Sequence, residues 1–138
     1  PWASEANTEY ALKILDPTCG SGIFLVESFK RIVDRWMYAN QKEEIDYETL
    51  KKLLTDSIYG IEVNADAIKV AAFSLYLALL DFLNPRTLWQ NKKFPYLIYD
   101  PEKDDTKRGK NLIRMNSLES GPFDKLKFDL VVGNPPFK

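Results

Sequence analysis

Histidine is missing from all 138 residues, which excludes imidazole-based nucleophile systems and metal centres that depend on imidazole. Cysteine occurs once, as Cys19, so no disulfide or cysteine zinc cluster can form within the chain. A lone thiol fits a reducing, cytoplasmic setting. Charge of one sign is lacking too. Nineteen basic residues against 20 acidic ones leave a net charge of −1, which argues against this chain alone gripping nucleic acid through phosphate contacts. Residues 1–5 show neither the basic flank nor the apolar core of a secretory signal. The longest apolar stretch, residues 70–80, is broken by Ser74 and falls short of the roughly 20 residues that cross a membrane. Neither a metal site nor membrane association is therefore expected.

What is present describes an α/β domain. Hydrophobic residues make up 45% of the chain, enough for a real core in a single domain. After a polar lead-in over residues 1–10, residues 11–16 read as a strand stopped by Pro17. Helical periodicity takes over from residue 22 to about 41, with Leu25, Phe29, Ile32, Val33 and Trp36 on one face. A second helix is predicted over 47–56, and a strand over 57–63. Asn64 suits the N-cap of a helix spanning 65–83, apolar nearly all round and so buried on more than one side or packed on a partner. Residues 86–110 form a long connection, with a short strand around 96–99 and no fixed structure over 101–109. Strands over 111–116 and 128–132 follow, the last an apolar run of the kind covered on both faces. Strands alternating with helical crossovers predict a partial, doubly wound parallel sheet, with ligands at the carboxyl ends of its strands.

Each recognisable motif falls at such an end. Asp16-Pro17-Thr18-Cys19-Gly20-Ser21-Gly22 joins the first strand to the first helix. Gly20 and Gly22 permit a sharp turn, the following helix aims free N–H groups into the space beyond, and Asp16 adds negative charge on the opposite rim. A ligand carrying both an ammonium and a carboxylate fits this better than one carrying two phosphates. Ile23 and Phe24 follow where a dinucleotide fingerprint would soon require a third glycine. Glu62, closing the second strand, is placed to accept both hydroxyls of a ribose, with Val63 beside it for a purine ring. Asn116 and Ser117 end the third strand and offer a side-chain acceptor, although both are also ordinary turn residues.

The strongest signal is Asn134-Pro135-Pro136-Phe137, directly after the last strand. Two prolines stop both ladder and helix, leaving a rigid loop with an amide, carbonyls without local N–H partners and an aromatic face. Such a loop suits a planar amino group. The oxygens of Asn134 and Pro135 would accept its two hydrogens, and Phe137 would stack on the ring.

Taken together, the Asp-Pro-x-Cys-Gly-Ser-Gly-x-Phe-Leu loop and Asn-Pro-Pro-Phe resemble the N6-adenine DNA methyltransferases of bacterial restriction–modification systems, above all the fused restriction–methylation type. The resemblance runs from Asp16 to Phe137. It implies the first four strands of the class I S-adenosylmethionine-dependent methyltransferase fold. It also implies S-adenosylmethionine as cofactor, held by Asp16, Thr18, Gly20, Gly22, Phe24, Glu62, Val63, Asn116 and Ser117. Asn134, Pro135, Pro136 and Phe137 then face an adenine flipped from double-stranded DNA. The Thr-Pro-type turn that precedes the glycine loop in that family is not found in residues 1–15. Residues 1–138 are therefore expected to be the N-terminal part of a catalytic domain in a longer enzyme. The remaining strands, a recognition domain and possibly a nuclease lie elsewhere in that enzyme, and these residues are inactive alone. Ribosomal RNA guanine-N2 and protein glutamine-N5 methyltransferases use similar loops, and a non-catalytic DNA-binding subunit with the same fold is a further alternative.

Overall fold

The computed structural model describes residues 10–88 and 93–133. The Asn134–Phe137 loop lies outside the described residues.

Four strands, β1 (Ile14–Asp16), β2 (Ile58–Glu62), β3 (Leu112–Arg114) and β4 (Leu130–Val131), form one sheet in the order β3-β2-β1-β4. All three pairings are parallel: Ile14 lies opposite both Ile58 and Leu130, and Gly60 lies opposite Leu112. The chain steps outward from β1 to β3 and then returns to the other side of β1. That order reversal places the switch point between β1 and β4, where open parallel sheets bind ligands.

Three long helices cover one face of the sheet. They are α1 (Ile23–Ala39), α2 (Tyr47–Ser57) and α3 (Ala65–Asp81). Their buried faces supply Leu25, Phe29, Ile32, Leu50, Leu54, Leu75 and Leu79, which pack with Ile14, Ile58 and Leu112 in the main core. The period-two alternation of the strands sends Tyr59, Ile61 and Ile113 to the opposite face. No long helix lies there among the described residues. Instead the stretch leading into β4 brings Phe123 and Phe128 edge-on to Tyr59, with ring centroids 5.4 and 5.3 Å away. The two sides of the sheet are thus closed by different material, helices on one and a wound loop on the other.

Local chemistry explains the helix starts. The Asp46 side chain accepts from Thr49 N–H at 3.0 Å and opens α2. Asn64 accepts from Asp66 and Ala67 N–H at 2.9 and 3.0 Å and opens α3. Each satisfies N–H groups that a helix leaves unpaired. The buried Asn111 amide donates to the carbonyls of Thr55 and Ile58, both at 2.8 Å, tying the approach to β3 to the α2–β2 junction.

The expected elements form, with differences. Strands are shorter than the apolar runs that signalled them, because ladder pairing ends where the parallel neighbour ends. Ser57 closes α2 rather than opening β2. The last strand is not covered on both faces: Leu130 and Val131 are 48% and 60% exposed, since β4 stands at the sheet edge among the described residues. On α3, burial is one-sided. Ile68, Ala71, Ala72, Leu75 and Leu79 face inward, while Val70, Phe73 and Leu77 form an exposed stripe.

Within 86–110, a short helix α4 (Pro85–Leu88) was not foreseen, and the strand sensed around 96–99 is a single parallel bridge from Ile98 to Leu112. Over 101–109, where no fixed structure is expected, the chain forms successive turns. Arg108 donates to the carbonyls of Asp100, Pro101 and Lys103 at 3.2, 3.0 and 2.7 Å. Arg108 thus bonds to its own loop. No described helix is long and apolar enough to cross a membrane, and no described cluster of three acidic or cysteine side chains is arranged to hold a metal.

Candidate active site

Asp16 ends β1 and is fully buried. Its Oδ1 accepts from Thr18 N–H at 3.0 Å, while its Oδ2 and the Thr18 hydroxyl are buried without a hydrogen-bond partner among the described residues. Two unpaired polar atoms at one strand end are unusual in a folded interior, where such groups are nearly always satisfied. Burial pushes the Asp16 carboxyl above its ordinary value, the Thr18 N–H pulls it back, and the nearby Glu62 charge raises it again.

The sign of that shift has a consequence. A carboxyl raised in the folded state holds its proton more tightly there, so the stability it confers belongs to acid pH and is lost as pH rises from 3.8 through the folded value. Once ionised, Asp16 therefore weakens the fold relative to its protonated form. Asp16→Asn keeps the acceptor for Thr18 and removes the charge. It is expected to raise the thermal midpoint at neutral pH, with the gain shrinking as pH approaches 3.8. Thermal melts of the two forms across that pH range would measure it, and an equal or lower midpoint for Asp16→Asn at neutral pH would contradict the assignment.

The glycine turn follows. Cys19 N–H donates to Ile61 O at 2.9 Å, fastening the turn across the sheet to β2. Gly20 adopts φ 54° and Gly22 φ 89°, the left-handed region that favours glycine. Gly22 also lies against α3: a Cβ there would stand 3.1 Å from both Cα and Cβ of Ala71. Burial, followed by the Asp16 and Glu62 charges, pushes the Cys19 thiol up to about 12, so it fills space rather than reacts. Phe24, on the first turn of α1, is 44% exposed.

Glu62 closes β2 and is drawn into the same constellation. Its two oxygens accept from Gly20 N–H at 3.1 Å and Asn64 N–H at 2.9 Å, bracketing the glycine turn and the start of α3. A carboxylate has about four acceptor positions, so about two remain open. Val63 beside it is 66% exposed. Met115 N–H donates to Glu62 O at 3.1 Å, which sets the β3 turn next to β2. In that turn Asn116 Oδ1 accepts from Leu118 N–H at 3.0 Å, leaving its second lone pair available, and Ser117 is exposed.

Thr18 N–H bonds to Asp16 and Gly20 N–H to Glu62, so both carboxylates hold the one turn; Gly22 ends that turn, Phe24 follows on α1, and Val63, Asn116 and Ser117 line the neighbouring strand ends. Two glycines gain roles that pattern reading did not assign. Gly60 sits under the turn, where a Cβ would be 2.7 Å from Leu25 Cδ1 and 3.0 Å from Cys19 Sγ. Gly133, the last described residue, abuts Asp16: a Cβ there would be 2.6 Å from Oδ1. Glycine inside an apolar strand run was the available signal for the first.

A parallel sheet in this order, with a glycine turn after its first strand and an acid closing its second, is a partial Rossmann-type sheet of the methyltransferase kind. Comparison with known proteins narrows this: residues 56–138 match the Eco57I restriction-modification methylase model, and the chain belongs to that family. It is similar to the adenine-specific methyltransferase PglX of Streptomyces coelicolor, at 31% identity over 127 residues that cover 92% of the chain. It is also similar to the type II restriction enzyme and methyltransferase RM.Eco57I of Escherichia coli, at 31% identity over 153 residues that cover 91% of it. The chain spans 10% and 14% of the lengths of these two relatives.

Proposed function

We propose that the intact protein carrying this chain transfers a methyl group from S-adenosylmethionine to the N6 amino group of adenine in DNA, within a restriction–modification system. The observation that carries this reading is the meeting of Asp16 and Gly133 at the switch point. It brings Gly133, the residue before Asn134 in the sequence, to the start of the glycine turn, in keeping with a donor and an acceptor of the methyl group that share one cleft.

The donor set suits the cofactor. The unpaired Asp16 Oδ2 and Thr18 Oγ1 are acceptors for an ammonium and for a polar neighbour. The N–H groups at the start of α1 favour a carboxylate. Glu62 keeps lone pairs for the ribose hydroxyls, Val63 supports the purine ring, and Asn116 or Ser117 takes its amino group. When bound, S-adenosylmethionine supplies an electrophilic methyl group on sulfonium.

The chain's own contribution to the transfer is electrostatic and geometric. The adenine amine is a poor nucleophile because its lone pair is delocalised into the ring. Asn134 and Pro135 oxygens accept its two hydrogens, which favours tetrahedral geometry at nitrogen and stabilises the positive charge that develops there. Pro135 and Pro136 hold those carbonyl directions without competing N–H groups. Phe137 stacks on the extruded base and offsets part of the few kcal/mol that flipping costs. No histidine, cysteine or metal is required by this in-line step.

The near-neutral chain leaves DNA affinity to the rest of the protein, in keeping with the small share of its relatives that it spans. Mass spectrometry of nucleosides from cells expressing the intact gene is expected to show N6-methyladenine above the level of a host lacking adenine methylation. Methylation confined to cytosine, to RNA or to protein would refute the assignment.

A further inference from the structure

Gly133, two residues beyond β4, adopts φ 143°, a backbone conformation that side chains rarely tolerate. A Cβ on it would stand 2.6 Å from Asp16 Oδ1 and 3.3 Å from Asp16 Cγ, far inside ordinary contact. Neither partner is free to yield. Asp16 is fully buried and its Oδ1 is held by Thr18 N–H. On the other side, Val132 N–H donates to Leu15 O at 2.8 Å, so the ladder with β1 runs up to the residue before Gly133. A side chain at 133 would have to push Asp16 off Thr18 or lift the chain away from β1.

We propose that Gly133 is a positioning residue, with the buried Asp16 carboxylate as the stop against which the chain rests before it enters Asn134. This inference rests on the methyl-transfer reading above and extends it. The glycine turn and Gly133 meet at Asp16, so disturbance of either is transmitted to the other through that side chain. Asn134 follows by one peptide unit, and a displacement of about 1 Å at reacting groups is enough to lower a rate about a hundredfold.

A double-mutant cycle in the intact protein tests this, using Gly133→Ala, Asp16→Ser and the pair. Serine removes Oδ1 and so makes room for the alanine methyl. Three quantities are read: the single-turnover methylation rate at saturating cofactor and DNA, the S-adenosylmethionine dissociation constant, and the DNA dissociation constant. Gly133→Ala alone is expected to lower the rate about a hundredfold and to weaken cofactor binding, with DNA binding changed by less than about threefold. In the Asp16→Ser background the same change is expected to cost no more than about tenfold in rate and nothing in cofactor affinity, the remainder reflecting the strained φ. Effects that multiply independently in both rate and cofactor affinity would overturn the proposal, as would an unimpaired Gly133→Ala. Were the unmodified protein to bind cofactor without methylating adenine, the functional reading would fall. The affinity cycle would then still decide the coupling by itself.

Discussion

Asn134→Ala in the intact protein is expected to lower the single-turnover rate of adenine methylation by about 10²–10³-fold, the range seen when one preorganised dipole is removed from a reacting centre. On the proposed reading, the side-chain oxygen of Asn134 would interact most strongly when the amine hydrogens become acidic, as charge develops on nitrogen. Its loss therefore falls on the transition state and leaves ground-state binding nearly unchanged, so cofactor and DNA affinities are expected to stay within about threefold. Asn134→Asp retains an acceptor oxygen and should lose less than Asn134→Ala. Rapid-quench measurement with labelled cofactor separates these forms. An Asn134→Ala protein as fast as the unmodified one would remove the Asn-Pro-Pro-Phe loop from the chemistry and leave a binding subunit as the better description.

Gly60→Val is expected to cost about 3 kcal/mol of folding stability, at the upper end of core overpacking. Valine ordinarily suits a strand better than glycine, by up to about 1 kcal/mol. Here the packing outweighs that preference. The first added carbon would lie 2.7 Å from Leu25 Cδ1 and 3.0 Å from both Cys19 Sγ and Leu112 Cδ2. Leu25 and Leu112 are fully buried in a close-packed interior. The strain would fall on the start of α1 and on the glycine turn together, so cofactor affinity should drop along with stability. Urea denaturation and cofactor titration of Gly60→Val, with Gly60→Ala as the milder comparison, would measure both. Unchanged stability in the valine form would mean that α1 does not pack on β2 as described.

Residues whose chemistry is carried locally were legible without coordinates. Asn64 announces the start of α3 because an N-cap acceptor works over three residues of sequence. Gly20 and Gly22 announce a turn because their backbone freedom is intrinsic. Leu25, Phe29, Ile32 and Val33 announce a buried helix face because their spacing matches the helical period. Strand limits were less legible, since Leu130 and Val131 have the composition of a covered strand while their exposure follows from standing at the sheet edge. The turns around Arg108 were missed because its bonds run to carbonyls five to eight residues earlier, beyond any short-range pattern.

The amino-acid sequence by itself determined the kind of domain, the order of its motifs and the chemistry each could support. Helical period, turn glycines and proline-blocked loops act through neighbouring residues, and residue type alone rules out histidine and disulfide chemistry. Only the tertiary structure decided that β4 returns beside β1, that Glu62 brackets the glycine turn, and that Gly60 and Gly133 must lack side chains. Those facts depend on atoms brought together across 35 to 117 positions of chain, from the approach of Gly60 to Leu25 to that of Gly133 to Asp16. Contacts of that span arise from packing, which no local preference encodes.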